Sequence, residues 1–192
     1  MKTTNRLQRD FFLRPTLEVA ADLLGKYLVM ETEAGRIIGE INEVESYIGQ
    51  DDPACHAAIG RTPRNEVMFW EGGHAYVYFT YGMYHCLNIV TENKDFPSAI
   101  LIRSIIPIEG GNLIMKNRHT SSSSSKISPK TLVNGPGKIC QALQLDRKHN
   151  GIDLTKSGQL FLLDSGKIIT NFNRTPRIGI SKGKDLKWRF HY

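Results

Sequence analysis

Over the first fifty residues, the spacing of hydrophobic positions changes from that of a helix to that of a β-hairpin. The apolar positions of the helical part are Leu17, Ala20, Ala21 and Leu24. Their spacing predicts a helix that begins with Thr16 as its cap and stops at Gly25. Strand-like patterns over residues 27–31 and 36–48, separated by a turn at 33–35, then predict a hairpin.

The second strand of this hairpin carries two carboxylates. A period of two places four side chains on one face: Ile41, Glu43, Glu45 and Tyr47. A solvated strand face explains the two acidic residues as well as a functional role does. Residues 49–66 follow as a surface loop rich in Gly, Pro, Asp and Arg, the kind of segment that carries function on a rigid scaffold.

The stretch YVYFTYGMYHCLNIV and the apolar run after it predict three more strands. Two of them, over residues 76–80 and 85–91, meet at a glycine turn, and a buried strand over residues 99–105 ends before Pro107. The sheet is therefore predicted to be largely antiparallel and mixed with helices. This is a mixed α/β (α+β) class, and the length fits a single domain of residues 1–192.

Helical and low-complexity patterns fill the region after this sheet. Residues 113–118 are read as the end of a short helix, and the Ser-rich residues 119–131 are predicted to be a mobile insertion. The sequence NGPGKICQALQL predicts a helix entered through Pro136. Its start suits a phosphate bound by backbone amides and Lys138, and it suits a capped core helix equally well.

The charge balance points to an anionic partner. Lys and Arg number 25 against 19 Asp and Glu, a formal charge of +6 with a pI near 9.3. Such a surface attracts polyanions, so nucleic acid is the first partner to test, although a cationic enzyme without that partner fits as well. The absence of a signal-peptide pattern and of any run of ~18 apolar residues favours a soluble, cytoplasmic protein without a membrane partner.

Neither the cysteines nor any sequence motif indicates a disulfide framework or a metal site. Cys55, Cys86 and Cys140 are widely spaced and never form a Cys-x-x-Cys pair, so neither a disulfide framework nor a zinc knuckle is indicated. The zinc-deaminase signature, the phosphate-binding glycine loop and the Gly-x-Ser-x-Gly elbow are missing too. Hydrolysis by a carboxylate-activated water stays open.

The glycine turn of the second hairpin suggests a use for exposed apolar side chains. Tyr81 and Met83 are predicted to lie at its apex beside Gly82. There they fit a wedge that unstacks duplex DNA and holds open the space left by an extruded nucleotide. The alternative is a tyrosine-rich strand packed on the core, which is the interpretation given to Tyr76 and Tyr84.

An extruded base requires an aromatic slot and, for hydrolysis, a general base. Tyr47, His56 and Tyr78 are the candidates for the slot, but they lie on separate segments that only the fold can bring together. Stacking of this kind contributes ~1–3 kcal/mol per base. Glu45 is the candidate general base, at a strand end beside Tyr47, with Glu43 in support.

Arg103 interrupts the apolar run of residues 99–102. A buried guanidinium is costly unless a carboxylate or a phosphate pairs with it. A structural salt bridge and a contact to nucleic acid both satisfy that requirement.

These motifs together resemble those of the alkyladenine (3-methyladenine) DNA glycosylases of the mammalian type, which also occur in bacteria. The matching blocks are RPTLEVAADLLGKYLV, EVESYIGQDDPACHA, RTPRN, YVYFTYGMYHCLNIV, AILIRSIIPIEG and NGPGKICQAL. They run in order over almost the whole chain. The resemblance implies a single compact domain around a curved, largely antiparallel sheet with flanking helices and a protruding β-hairpin, in a compact bacterial-type member.

The resemblance also implies an activity and a set of site residues. A damaged purine is flipped out of duplex DNA and its N-glycosidic bond is hydrolysed, which starts base excision repair. Glu45 corresponds to the residue that activates water. The residues that match the base pocket are Tyr47, His56, Tyr78 and Asn88, those that match the intercalating hairpin tip are Tyr81 and Met83, and those expected at the DNA backbone are Arg64, Arg103 and Lys138.

No metal, other cofactor, covalent lyase intermediate or obligate protein partner is implied. Expected substrates are 3-methyladenine and 7-methylguanine, with hypoxanthine and ethenoadenine left open. The sequence departs from the family pattern in its serine run, Ser121 to Ser125, and in a short basic C-terminal region. Those departures put the DNA contacts of the C-terminal part in doubt.

Two other functions compete with this one. A binding module for damaged DNA or RNA would keep the wedge and the basic face without catalysis, but it has no need of Glu45. A carbohydrate hydrolase would use Glu43 and Glu45 as its acid and base. Residues two apart on a strand lie side by side rather than on opposite sides of a sugar, which disfavours that reading.

Overall fold

An eight-stranded antiparallel sheet organises the fold in the computed structural model, which describes residues 6–118 and 129–192. The strands are β1 (Tyr27–Thr32), β2 (Gly35–Ile48), β3 (Ala75–Thr80), β4 (Tyr84–Val90), β5 (Ser98–Glu109), β6 (Leu160–Leu163), β7 (Asn173–Thr175) and β8 (Arg189–His191). Their order is β3-β4-β5-β2-β1-β6, with β8 paired to β2 and β7 to β8. The sheet curls into a half-barrel, which confirms the predicted fold class.

Short helices cover the sheet. The α-helices are α1 (Arg9–Phe12), α2 (Thr16–Leu23), α3 (Gly111–Asn117), α4 (Pro129–Leu132) and α5 (Pro136–Ala142). The 3-10 helices are His56–Ile59, Glu66–Phe69 and Arg147–His149. Helices α2 and α5 bury Leu23 and Ile139 in the main hydrophobic core against the sheet. A smaller apolar cluster around Met68 and Tyr76 lies under the long loop after β2.

Helix α2 has the predicted extent but not the predicted cap. Pro15 precedes the helix in place of a capping threonine, and the carboxylate of Glu92 accepts from the amide of Thr16 at 3.0 Å. The hydroxyl of Thr16 instead contacts the hydroxyl of Thr91 at 2.9 Å and donates to the carboxylate of Glu92 at 2.5 Å. The threonine therefore joins the helix to the segment that follows β4, because tertiary partners compete successfully for its hydroxyl.

A β-bulge changes the predicted faces of β2. The register between β2 and β5 shifts on both sides of Glu43. As a result, Ile41 and Val44, three positions apart, both lie in the main core. The prediction that Ile41 shares a face with Glu43, Glu45 and Tyr47 is wrong, because the extra residue of a bulge reverses the alternation.

Two predicted boundaries also differ from the structure. Strand β5 continues through Pro107, which pairs with Gly39 next to a register irregularity, where the missing amide of proline is tolerated. The predicted mobile insertion at 119–131 is too long, since its last residues lie in helix α4. The rest of it, residues 119–128, lies outside the described part of the chain.

The three cysteines are buried and free. Cys86 is on β4, Cys140 is on α5 and Cys55 precedes the first 3-10 helix. Burial raises the pKa of the Cys55 thiol to about 11, so the thiol stays protonated near neutral pH.

Candidate functional site

A pocket of about 460 Å³ opens where β2, β4 and β5 meet the long loop and a C-terminal segment. That volume lies in the range of small-molecule sites. The pocket unites most of the residues that the sequence singles out. Residues that line it include Tyr47, Ala54, His56, Tyr76, Tyr78, Tyr81, Asn88, Arg103, Ile178 and Lys182.

The sheet register places one row of side-chain positions across the pocket. Tyr76 on β3 is opposite Asn88 on β4, Asn88 is opposite Leu101 on β5, and Leu101 is opposite Glu45 on β2. The amide nitrogen of Asn88 donates to the carbonyl of Tyr76 at 3.1 Å, which fixes the orientation of the amide. Four strands therefore align residues that are far apart in the sequence.

Glu45 is fully buried directly behind the pocket wall. The Tyr47 hydroxyl donates to its Oε2 at 2.9 Å, and Arg103 Nη1 donates to the same oxygen at 3.3 Å. The backbone amide of Ile178 donates to Oε1 at 2.7 Å. All three donors line the pocket. A carboxylate accepts about four hydrogen bonds, so about one acceptor position remains for a further donor.

Arg103 is paired with carboxylates, as a buried guanidinium requires. Its Nε donates to Glu43 at 2.7 Å, in addition to the bond from its Nη1 to Glu45. Arg189 on β8 also donates to Glu43 at 2.7 Å. Burial alone would raise the pKa of Glu43, but the hydrogen bonds from Arg189 and Arg103 outweigh it and lower that pKa below its ordinary value. Glu43 thus supports Arg103 rather than lying on a solvated face.

The aromatic residues predicted for a base slot lie together. The rings of His56 and Tyr78 meet edge to face, with centroids 4.6 Å apart. His56 Nδ1 is 2.9 Å from the hydroxyl of Tyr76, whose burial confirms its predicted core position. The same prediction is wrong for Tyr84, which is 39% exposed at the start of β4 beside the hairpin turn. Tyr47 lines the same pocket from β2.

Burial shifts the titration of these groups toward their neutral forms. It raises the pKa of the Tyr78 hydroxyl well above its ordinary range, with a smaller effect from Cys86. It does the same for Tyr47, where the charge of Glu45 adds to the shift. Burial, and next the charge of Arg64, lower the pKa of His56. At neutral pH the slot therefore presents protonated phenols and a neutral imidazole.

The hairpin between β3 and β4 ends in an exposed aromatic tip. Tyr81 and Gly82 both have positive φ, at 52° and 67°, and the amide of Met83 donates to the carbonyl of Thr80 at 3.2 Å. These features are those of a type I′ turn. Tyr81 is 80% exposed and Met83 is 62% exposed, as predicted for the apex.

The basic residues expected at the DNA backbone lie outside the pocket wall, except for Arg103. Arg64 is exposed, donates to the carbonyl of Phe79 at 3.3 Å and lies 5.7 Å from the centroid of the Tyr78 ring. Lys138 is exposed on α5 and donates to the carbonyl of Thr131 at 3.3 Å. Both cations are thus near the hairpin or the adjoining helix rather than at the carboxylate.

The sequence reasoning missed the C-terminal wall of the pocket. Residues 178–182 line it, and the amide of Ile178 bonds to Glu45. It also missed Asp52 and Arg177, which form a buried ion pair beside this segment. Asp52 lies within one of the family blocks, but no signal in the sequence pairs it with Arg177. The C-terminal residues reach the site because β8 pairs with β2 next to Glu45, a long-range pairing without a local signal.

Residues 6–118 and 129–192 contain neither a metal-ligand cluster nor a membrane-spanning helix. No three His, Cys, Asp or Glu side chains cluster there as ligands for a metal ion. No helix in those ranges combines the length and the apolar character needed to cross a bilayer.

Comparison with known proteins agrees with the geometry. A family model described as methylpurine-DNA glycosylase matches residues 10–192. A protein of Methanocella arvoryzae, named “Putative 3-methyladenine DNA glycosylase”, is 48% identical over 96% of this chain and 91% of its own length. Proteins of the same name from Sodalis glossinidius and Clostridium novyi are 47% and 44% identical, over 99% and 97% of this chain and 98% and 94% of their own lengths. The region that the family model matches contains every strand in the described part of the chain and every residue that lines the pocket. The chain belongs to the methylpurine-DNA glycosylase family.

Proposed function

We propose that this DNA repair glycosylase flips alkylated purines out of duplex DNA and hydrolyses their N-glycosidic bond with a water activated by Glu45. One observation carries the proposal. A fully buried carboxylate lies one hydrogen bond behind an aromatic pocket, and all three of its donors line that pocket. Such a carboxylate has a fixed orientation, and about one of its acceptor positions is left for a water.

The reaction needs no group beyond water and the carboxylate. In the proposed step, the water oxygen bonds to C1′ of the sugar while the bond from C1′ to the purine nitrogen breaks. Glu45 accepts the proton of the water, and the purine leaves with the bonding electron pair. The carboxylate also stabilises the positive charge that develops at the sugar. Alkylation at N3 or N7 makes the purine cationic, so it leaves as a neutral base.

The aromatic slot supports selection of such a base. A cationic purine is attracted to the electron-rich faces of tyrosine rings, and the slot is formed by Tyr47, Tyr78 and His56. The lowered pKa of His56 keeps the imidazole neutral, so it does not repel the cation. We therefore propose 3-methyladenine and 7-methylguanine as substrates. Hypoxanthine and ethenoadenine lack this charge, so whether the enzyme accepts them depends on the shape of the pocket and on its wall at Asn88.

The hairpin tip and the basic residues support binding of duplex DNA. Tyr81 and Met83 project into solvent, where they are placed to enter the stack and fill the space of the flipped nucleotide. Arg64 and Lys138 are exposed cations suited to phosphate. Arg103 is bonded to Glu43 and Glu45, so its contact to DNA would come from the donors that those bonds leave free.

We also propose that the enzyme is monofunctional and uses water rather than an amine. Among the described residues that line the pocket, Lys182 is the one lysine, and it is exposed. An amine nucleophile would form a Schiff base with the sugar that borohydride traps covalently. Absence of a trapped complex during turnover would support the use of water, and a trapped complex lost in Lys182→Met would contradict it.

The central experiment measures release of free base from methylated duplex DNA, with zinc and magnesium chelated. The wild type, Glu45→Gln and the control Glu40→Gln are compared. Glu40 is also a buried glutamate of β2, but its donors Lys167 and Tyr192 lie outside the pocket lining, whereas all three donors of Glu45 line the pocket. We expect release by the wild type and the control but not by Glu45→Gln, which should still bind damaged DNA.

The other outcomes are equally informative. Unchanged turnover in Glu45→Gln would refute the assigned role of the carboxylate. No release by any of the three proteins, with tight binding to damaged duplex, would favour the non-catalytic binding module.

A further inference from the structure

A buried ion pair connects three walls of the pocket. The guanidinium of Arg177 donates to both carboxylate oxygens of Asp52, at 2.5 and 2.8 Å, and both side chains are fully buried. Nη1 also donates to the carbonyl of Ser46 at 2.9 Å. A Cβ on Gly183 would lie 2.9 Å from Nη2, so the guanidinium is tightly enclosed. The pair is thus built into the fold rather than placed at its surface.

Such a buried ion pair adds little to the stability of a fold by itself. Removing two charges from water costs about as much as their attraction returns, and well-packed apolar residues often stabilise a fold equally well. The pair instead fixes geometry, because a bidentate guanidinium holds itself and the carboxylate in one plane. The elements that it connects therefore indicate what it does.

On one side, the pair holds the end of β2 and the loop that follows. Asp52 accepts from the backbone amides of Ile48 at 3.3 Å and Ala54 at 3.1 Å. Ala54 lines the pocket, as does His56 two residues later. The carbonyl of Ser46, which Arg177 holds, lies between Glu45 and Tyr47 on the strand.

The flat guanidinium of Arg177 also supports a ring of the base slot. It lies 4.7 Å from the ring centroid of Tyr47 and 5.1 Å from that of Trp188. Tyr47 lines the pocket and Arg177 does not. The charged plane thus supports the tyrosine from a position away from the pocket surface.

On the other side, the pair holds the C-terminal wall. Ile178 follows Arg177 directly, and its amide donates to Glu45 Oε1 at 2.7 Å. A shift of Arg177 therefore moves a hydrogen-bond donor of the proposed catalytic carboxylate, together with the first residue of the 178–182 wall.

From these contacts we infer that Arg177 and Asp52 are positioning residues, which hold the Ile178 amide on Glu45 and the ring of Tyr47 in place for base release. The assignment rests on the proposed function of Glu45. Neither residue touches the substrate in this account, and both act through the groups that they hold. A displacement of about 1 Å in such groups lowers a rate by on the order of 10²-fold.

The test uses Arg177→Lys in the full-length chain. Lysine keeps the charge, but its ammonium lacks the planar fork that bonds to both oxygens of Asp52 while covering the ring of Tyr47. Asp52→Asn, which keeps the shape and loses the charge, is the second variant in case the lysine variant does not fold. The matched control is Arg9→Lys, since Arg9 also pairs with an aspartate, Asp153, at 2.6 Å but lies outside the pocket lining.

Two readouts are measured on folded protein. The first is the single-turnover rate of base release from methylated duplex, together with affinity for that duplex. The second is amide hydrogen exchange of the free protein, which does not depend on activity. In Arg177→Lys we expect the rate to fall on the order of 10²-fold, with a much smaller change in affinity, and exchange at Ile178 to rise at least about tenfold while the core amide of Ile89 is unchanged. Arg9→Lys should keep the wild-type rate and the wild-type exchange at Ile178.

The inference is overturned if Arg177→Lys keeps the wild-type rate, if it loses no more than Arg9→Lys does, or if the Ile178 amide keeps its wild-type protection. Failure of the proposed function looks different, because the wild type itself would then release no base. In that case exchange alone decides. Loss of protection at Ile178 supports the positioning role of the pair, and unchanged protection refutes it.

Discussion

Removing one hydroxyl from the pocket tests whether the donors of Glu45 orient it for reaction. In Tyr47→Phe the ring stays in the slot, but the hydrogen bond of 2.9 Å to Glu45 Oε2 is lost. Burial and the charge of Glu45 raise the pKa of this hydroxyl, so at neutral pH it is a donor. The variant therefore removes one of three donors without changing the shape of the pocket.

The expected size follows from the kind of bond that is lost. A hydrogen bond to a charged group contributes about 1.5–3 kcal/mol. If this whole contribution is used to keep the carboxylate in its reactive orientation, loss of the bond lowers the rate of base release about 10- to 150-fold, since each 1.36 kcal/mol is a factor of about ten. Affinity for damaged duplex should change by less than about threefold, because the ring that stacks on the base remains.

The assay is single-turnover base release from methylated duplex, with Tyr192→Phe as the control. The hydroxyl of Tyr192 also donates to a buried glutamate, Glu40, at 2.6 Å, but neither residue lines the pocket. Both variants should lower the melting temperature, whereas only Tyr47→Phe should lower the rate. A rate within threefold of the wild type in Tyr47→Phe, or an equal loss in the control, would refute the reasoning.

Two further predictions address the hairpin tip and the pH dependence of stability. In Tyr81→Asn the new residue tolerates the positive φ of this position, so the free energy of unfolding should change by less than about 0.5 kcal/mol. Base release from duplex DNA should fall, and unchanged release from duplex would exclude the wedge. Burial and the charge of Arg64 lower the pKa of His56, so as the pH falls the unfolded chain binds the proton before the folded protein does. The contribution of neutral His56 to stability is therefore fully present above pH 6.5, and it is lost as the pH falls through the lower pKa of the folded state. Urea unfolding between pH 8 and 5 should show this loss, at most about 1.4 kcal/mol per pH unit for His56, and the loss should be smaller in His56→Gln, where the lowered pKa of His191 still contributes. Equal losses in both proteins would contradict the shift.

Local spacing was enough to predict most of the secondary structure. Helix α2, the hairpin of β1 and β2 and the hairpin of β3 and β4 are close to their predicted bounds. Each of these elements depends on neighbours within a few positions, and the glycine turn exposes Tyr81 for the same local reason. The errors occurred where a tertiary contact competed with the local signal. Thr16 bonds to Thr91 and Glu92 instead of capping its helix, and a bulge at Glu43 reverses the alternation of β2.

The sequence by itself determined which residues were candidates for the site, and the tertiary structure decided how they are arranged. Glu45, Tyr47, His56 and Tyr78 were identifiable from residue type and from the family motif. Their arrangement depends on strand register, since Arg103 is 58 positions from Glu45 and Ile178 is 133 positions away.

The ion pair of Asp52 and Arg177 shows most clearly what the sequence could not predict, because its partners are 125 positions apart. Hydrophobic periodicity reports which face of a strand is buried, and it carries no information on which distant segment will pair beside that strand. Only the pairing of β8 with β2 brings Arg177 and Ile178 to the carboxylate.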